Sequence, residues 1–265
     1  MKEIGKTENA PKQKWIDFVR EEAEKGNSYY QYELGVCFFR GRDVEHNHKL
    51  AVKWFGKAAE NGYAKAQCFL GICYMFGLGV EQNVNKALEL YNISAENGCH
   101  EALYSLGVIY HDGCYVEKDL ERALIFFRRA AEMGDSGAQY FLGKMYGEGI
   151  EVDLDIEKSL EYLKMAVSND NSAAQYTLGT YYYNGIGVTQ DYKKAVDLFR
   201  MAVLTDDIAS IGRIGAQKAL GDCYLYGLGV EKDIKKALYF YRKAAERGDS
   251  DANAKLADLE QSTTM

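Results

Sequence analysis

Apolar and polar residues alternate along this chain in blocks that carry a helical period. In the stretch Ala64-Lys65-Ala66-Gln67-Cys68-Phe69-Leu70-Gly71-Ile72-Cys73-Tyr74, apolar side chains at Ala66, Phe69, Leu70, Cys73 and Tyr74 follow the i, i+3, i+4, i+7 spacing of an amphipathic helix. A second block, Val84 to Gly98, places its stripe on Ala87, Leu88, Tyr91 and Ala95. Gly77 between them has the position of a left-handed helix terminator, and Gly98, Gly134 and Gly248 have the same role after the second block of their copies. The predicted unit is helix, glycine loop, helix, glycine turn.

That unit recurs. Leu34-Gly35, Leu70-Gly71, Leu106-Gly107, Leu142-Gly143 and Leu178-Gly179 are spaced by 36 residues, and Leu220-Gly221 follows 42 after the fifth. A fixed period of this length with two helices per copy predicts a solenoid. Glycine inside a helix costs about 1 kcal/mol relative to alanine. A slot that accepts this cost in every copy predicts close approach of the unit's second helix.

The joint pattern resembles the Sel-one-like repeats, relatives of the tetratricopeptide repeats. Copies starting near Ser28, Ala64, His100, Ser136, Ser172 and Ile214 match A-x-A-Q-x-x-L-G-x-x-Y-x-x-G-x-G-V, a polar loop, and K-A-x-x-W/Y-Y/F-x-K-A-A-E-x-G. The resemblance implies an all-α, right-handed α/α superhelical solenoid of six 36-residue helix-loop-helix repeats with half-repeat caps. The expected organisation is a flexible tail over 1–10, a capping helix over 11–27, six repeats over 28–249 and a capping helix with tail over 250–265. The six-residue surplus lies within 204–215 and is expected to extend a helix, with Asp206 or Asp207 as its N-cap. Half-repeats at both ends lead us to expect a complete chain.

Composition narrows the role. Apolar residues make up 47% and charged residues 27%, with a single proline, Pro11, which leaves long stretches free to be helical. A net charge of −7 without a basic stripe argues against nucleic-acid binding. The start, Met1-Lys2-Glu3-Ile4-Gly5-Lys6, lacks the apolar core of a signal peptide, and no apolar run is long enough to span a membrane. A cytoplasmic location is expected. Of the six cysteines, Cys37, Cys73 and Cys223 share one core slot three residues after the leucine, and no pairwise spacing suggests a disulfide ladder.

Comparison across copies disposes of most candidate chemistry. The G-x-G loops follow helices rather than strands, and no phosphate-loop lysine accompanies them. Gly134-Asp135-Ser136-Gly137 occupies the same turn as Gly248-Asp249-Ser250-Asp251, so it reads as an inter-repeat turn with a serine or aspartate cap. His46 and His48 lack a third ligand nearby. His111, Asp112 and Cys114 form the weakest of enzyme readings, a hydrolase-like thiol beside an imidazole. We therefore expect no catalytic residues, no metal, no cofactor and no small-molecule substrate.

The resemblance places the first helix of each copy on the concave face. By that transfer the partner-facing residues are Tyr32, Phe39, Arg40, Met75, Phe76, Tyr104, His111, Tyr140, Lys144, Tyr176, Tyr183 and Tyr226, with Ile208, Ile211 and Arg213 in the insertion. Four of these tyrosines, Tyr32, Tyr104, Tyr140 and Tyr176, share one slot and form either a recognition strip or a packing layer with wet hydroxyls. The expected function is a protein-interaction scaffold or adaptor that binds a peptide or protein in its groove. A narrower alternative is an inhibitor or immunity-type protein for one cognate effector.

Overall fold

The computed structural model describes residues 10–205 and 211–263, which form fourteen α-helices and no strand. Residues 1–9 of the expected tail lie outside the described residues, as does the segment 206–210, which holds Asp206, Asp207 and Ile208. By its internal packing the chain divides into two compact units, residues 1–133 and 134–265.

Unit 1 opens with α1 (Ala10–Glu24) and continues as three hairpins. They are α2 (Ser28–Arg40) with α3 (His48–Glu60), α4 (Ala64–Phe76) with α5 (Val84–Glu96), and α6 (His100–Asp112) with α7 (Leu120–Glu132). Unit 2 holds α8 (Ser136–Glu148) with α9 (Ile156–Ser168), α10 (Ser172–Asn184) with α11 (Tyr192–Leu204), and α12 (Ile211–Tyr226) with α13 (Ile234–Ala245). It ends with α14 (Ser250–Thr263).

The mid-helix glycine is the seam of every hairpin. A methyl group on Gly35 would lie 2.5 Å from the Phe55 ring, on Gly107 2.6 Å from Phe127, and on Gly179 2.5 Å from Phe199. Tyr91, Leu163 and Tyr241 fill the same place against Gly71, Gly143 and Gly221. The helical cost of glycine is offset by seating a large side chain, fully buried at Phe55, Phe127, Phe199 and Tyr241, directly on the partner backbone.

Caps fix where each hairpin turns. Every first helix of the hairpins except α12 runs thirteen residues and stops at a glycine, and Gly41, Gly77, Gly113, Gly149 and Gly185 are all left-handed. Every second helix starts at an Asn or Asp whose side chain accepts a backbone N–H three residues on, as Asn83 does from Lys86 at 3.0 Å. Asn47, Asp119, Asp155, Asp191 and Asp233 repeat that bond at 3.0 Å each. In the turn before α8, Asp135 and not Ser136 is the cap, accepting from Ala138 N–H at 2.8 Å.

A buried glutamine ties neighbouring helices. Gln67 donates to the Ala59 carbonyl and accepts from Asn97, and Gln31 does the same with Ala23 and Asn61. Gln139 accepts from Asn169 in unit 2. At Gln175 the residue thirty positions on is Thr205, and the Gln175 Oε1 has no hydrogen-bond partner.

The surplus residues lengthen α12 to sixteen residues, about one extra turn. Gly212 seats that turn on α10, where a methyl would lie 2.5 Å from the Ser172 carbonyl oxygen. Ile214, placed by its threefold spacing on a partner-facing side, instead packs against the buried cluster of Tyr224, Tyr241 and Ala244.

Candidate interaction surface

In unit 1 the slot tyrosines lean on the seam. Tyr32 lies 6.0 Å from Phe55 and 5.5 Å from Phe69, and Phe39 meets the same two rings at 6.1 and 5.8 Å. Tyr104 rests on Phe127 at 5.9 Å, and the His111 ring meets Phe127 at 6.4 Å. Burial pushes the Tyr32 hydroxyl well above the ordinary tyrosine range. Unit 2 repeats the arrangement, with Tyr176 at 6.0 Å and Tyr183 at 6.5 Å from Phe199. Tyr140 packs on the cluster built around Leu160 and Leu163. These tyrosines are half-buried braces of the hairpin, with only part of each ring at the surface.

The other named positions divide. Arg40, Phe76, Lys144 and Tyr226 are exposed, and Lys144 lies 3.9 Å from Glu148 on its own helix. Met75 does not face a partner directly, because it is buried in the floor of a cavity. Arg213 turns back to donate to the Thr205 carbonyl, so it clasps the insertion. The side chain of Ile211 lies outside the described residues.

That cavity is the distinctive feature of unit 1. It holds about 400 Å³ between α4 and α6 and is lined almost wholly by apolar surface from Ile72, Met75, Phe76, Tyr104, Val108 and Tyr115. A loop substitution accompanies it. In five copies the residue two after the loop glycine is left-handed: Asp43, Gly79, Glu151, Gly187 and Gly229. In three of them this residue presses on the start of the preceding copy's second helix, Gly79 on His48, Gly187 on Ile156 and Gly229 on Tyr192. The third copy has Tyr115, which does not take that conformation. Its ring instead meets Phe76 edge-on at 6.2 Å, and both rings are exposed, Phe76 by 56% and Tyr115 by 41%. Neither Tyr115 nor Val108 stood out along the chain. The aromatic side chain at 115, in a slot that holds Gly, Asp or Glu in the other copies, was the signal that could have found them.

The chemically suggestive clusters resolve as follows. His111 Nδ1 pairs with Asp112 Oδ1 at 2.7 Å, while the Cys114 thiol reaches only the Asp112 carbonyl, at 4.0 Å. The rings of His46 and His48 are 4.2 Å apart. Among the described residues no three His, Cys, Asp or Glu side chains converge as a metal site would require. Burial pushes the Cys37 thiol up to about 11 and those of Cys73 and Cys223 to about 12, which suits inert core positions. No helix among the described residues is long and apolar enough to cross a membrane. Unit 2 carries a more polar cleft of about 620 Å³ near Ser136, Asn171, Gln175 and Leu204.

The Sel1 repeat model matches residues 28–63, 64–99, 100–135, 136–171, 172–204 and 214–249. A protective antigen of uropathogenic Escherichia coli with an SLR fold is 32% identical, with a TM-score of 0.74 over 94% of this chain. The chain spans 52% of that protein's length. A Sel1 repeat protein from Oxalobacter formigenes is 27% identical over 87% of this chain and 99% of its own, with a TM-score of 0.76. An immunity protein of Pseudomonas aeruginosa is similar in fold, 24% identical over 88% of this chain and 82% of its own, with a TM-score of 0.52. No curated protein is significantly similar in sequence.

Proposed function

The chain belongs to the Sel1 repeat family, and from the surface of unit 1 we propose that it is a non-catalytic interaction scaffold that captures a protein or peptide partner. The anchoring point is the apolar cavity bordered by Phe76 and Tyr115. The observation that carries this reading is the pair of exposed aromatic rings over an apolar hollow of about 400 Å³, at the one loop that abandons the repeat's left-handed geometry. Aromatic side chains around a desolvated pocket are the usual composition of binding hot spots. The preferred occupant is a bulky apolar side chain of the partner.

The test is selection of a random peptide display library on the full chain, followed by titration of the enriched peptides. The double variant Phe76→Ala with Tyr115→Gly is expected to weaken binding by roughly a hundredfold, a hot-spot-sized loss, with an unchanged melting curve. Equal binding by the double variant overturns the assignment of the cavity.

A second, narrower reading is an inhibitor or immunity-type protein for one effector. The net charge of −7 supports it, because complementary charge favours a basic partner. The cytoplasm is the compartment that best suits six unbonded cysteines. The hydrolase reading has the least support, since the Cys114 thiol is turned to the Asp112 backbone carbonyl. Cys114 also lines the cavity, and a Cys114→Ser chain, altered there by a single atom, is expected to retain its partner.

A further inference from the structure

Unit 2 departs from the repeat at two positions that border the same hollow. The turn slot held by the left-handed glycines Gly62, Gly98, Gly134 and Gly248 is filled by Asp170, which takes that conformation at φ 57° and carries an exposed carboxylate. Thr205 is the second departure. Asn61, Asn97 and Asn169 each follow a second helix and donate an amide N–H to the glutamine thirty residues earlier, at 3.4, 3.0 and 2.9 Å. Thr205 stands in that place after α11, and its hydroxyl turns back to donate to the Ala202 carbonyl at 3.1 Å. Gln175 is left with an acceptor oxygen that has no partner among the described residues, on a side chain only 2% exposed.

Asp170, Gln175 and Thr205 line one cleft of about 620 Å³, together with Ser136, Met201 and Leu204. Gln217 Oε1 also lacks a partner, but Gln217 does not line this cleft. A buried acceptor at a roomy cleft calls for a donor from outside. The chain itself shows which donor fits, because in three copies the group that meets this oxygen is a primary carboxamide. A carboxamide also has a second N–H for the Asp170 carboxylate and an oxygen for a serine hydroxyl of the lining. A carboxylate ligand has no proton to give Gln175 and would meet the charge of Asp170. A lysine ammonium suits the cleft less well, since Ser172 begins α10 and the positive end of that helix borders it.

We propose that this cleft is a second binding site, which takes the asparagine or glutamine side chain of a peptide segment in a partner. The partner's amide stands in for the asparagine that follows α3, α5 and α9 but not α11. A peptide segment and not a free amino acid is the occupant, because the hollow is far larger than a carboxamide. Its rim also carries exposed apolar side chains, Met201 at 42% and Leu204 at 82%, which the residues flanking the amide would cover. Every residue of the site belongs to unit 2, so it stands independently of the cavity at Phe76 and Tyr115 in unit 1.

The experiment uses the full chain carrying Phe76→Ala and Tyr115→Gly, which takes the rings of the unit 1 cavity out of the readout. A random peptide display library is selected on it, and the enriched peptides are titrated by calorimetry. The expected peptides share an asparagine or glutamine, and changing that residue to the matching acid should weaken binding roughly tenfold, as an unmet buried acceptor does. Thr205→Asn supplies the amide from within the chain, so it should weaken the peptide by a similar factor while raising the melting temperature. Thr205→Ser should bind as before. Gln175→Leu removes the acceptor at a slot where the third copy holds a fully buried Leu103, so it should fold and lose the peptide. Enriched peptides without asparagine or glutamine overturn the proposal, as does a selection that enriches none. So does unchanged binding in the Thr205→Asn or Gln175→Leu chain, or free asparagine or glutamine binding as tightly as the peptide. Where a chain variant fails to melt cooperatively, the amide-to-acid change in the peptide decides the question.

Discussion

The loops of the second and third copies begin from the same left-handed glycine and arrive at different surfaces. Gly77-Leu78-Gly79 lays its second glycine against the carbonyl of His48, 2.5 Å from where a methyl would sit, and so becomes a packing joint. Gly113-Cys114-Tyr115 has a side chain at that slot, abandons the joint, and holds its ring over Phe76. One residue therefore separates a loop that contributes to stacking from one that opens an apolar hollow. In a repeat protein the scaffold sets the expectation, and the copy that departs from it marks where something else is selected.

Mutations can break the scaffold side of this comparison or sharpen the recognition side. Leu106→Ala removes a fully buried seam residue and is expected to cost about 2–5 kcal/mol in urea unfolding. Gly79→Ala forces a side chain into a left-handed residue pressed on His48, with an expected loss of about 1–3 kcal/mol by the same measurement. Asn83→Ala removes one cap and should cost about 1 kcal/mol.

Acid should discriminate between the units by a smaller margin. Three caps in unit 2, Asp155, Asp191 and Asp233, have carboxyl groups held below their ordinary value, first by the backbone N–H bonds they accept. Their contribution is complete above the unfolded value near 3.8 and is lost as pH falls through the lower folded value. In unit 1, where Asp119 caps α7, Asn47 and Asn83 cap α3 and α5 without titrating in this range. Hydrogen exchange below pH 4 should show the α9, α11 and α13 starts opening before those of α3 and α5. The smallest stability effect is expected for Tyr115→Gly, within about 0.5 kcal/mol by thermal melting. That variant should still lose peptide capture, which separates recognition from folding.

The fold was legible because its signals are local and repeated. Leu106-Gly107 is readable from one copy and certain from six, and the glycine's purpose needs only the Phe127 ring that structure supplies. The candidate surface was legible in part. Phe76 and Tyr104 border the cavity, but Met75 is buried in its lining and the slot tyrosines brace the seam rings. Whether a half-buried ring faces its own hairpin or a partner depends on χ angles and neighbours that helical spacing does not encode.

The glutamine ties also set how the stack answers force. Gln31 and Gln67 each hold two helix ends at once through a carbonyl and an asparagine, so sliding α2 past α1, or α4 past α3, must break a polar clamp, while Leu103 stands in that slot in the third hairpin. Gln175 lacks its asparagine because Thr205 stands there, and its carbonyl is left without a partner. Gln217 Oε1 lacks a partner too, with Arg247 thirty positions on, so in unit 2 the glutamine–asparagine tie is made at Gln139 and missing at the two later hairpins. Under tension those two hairpins shear before the first.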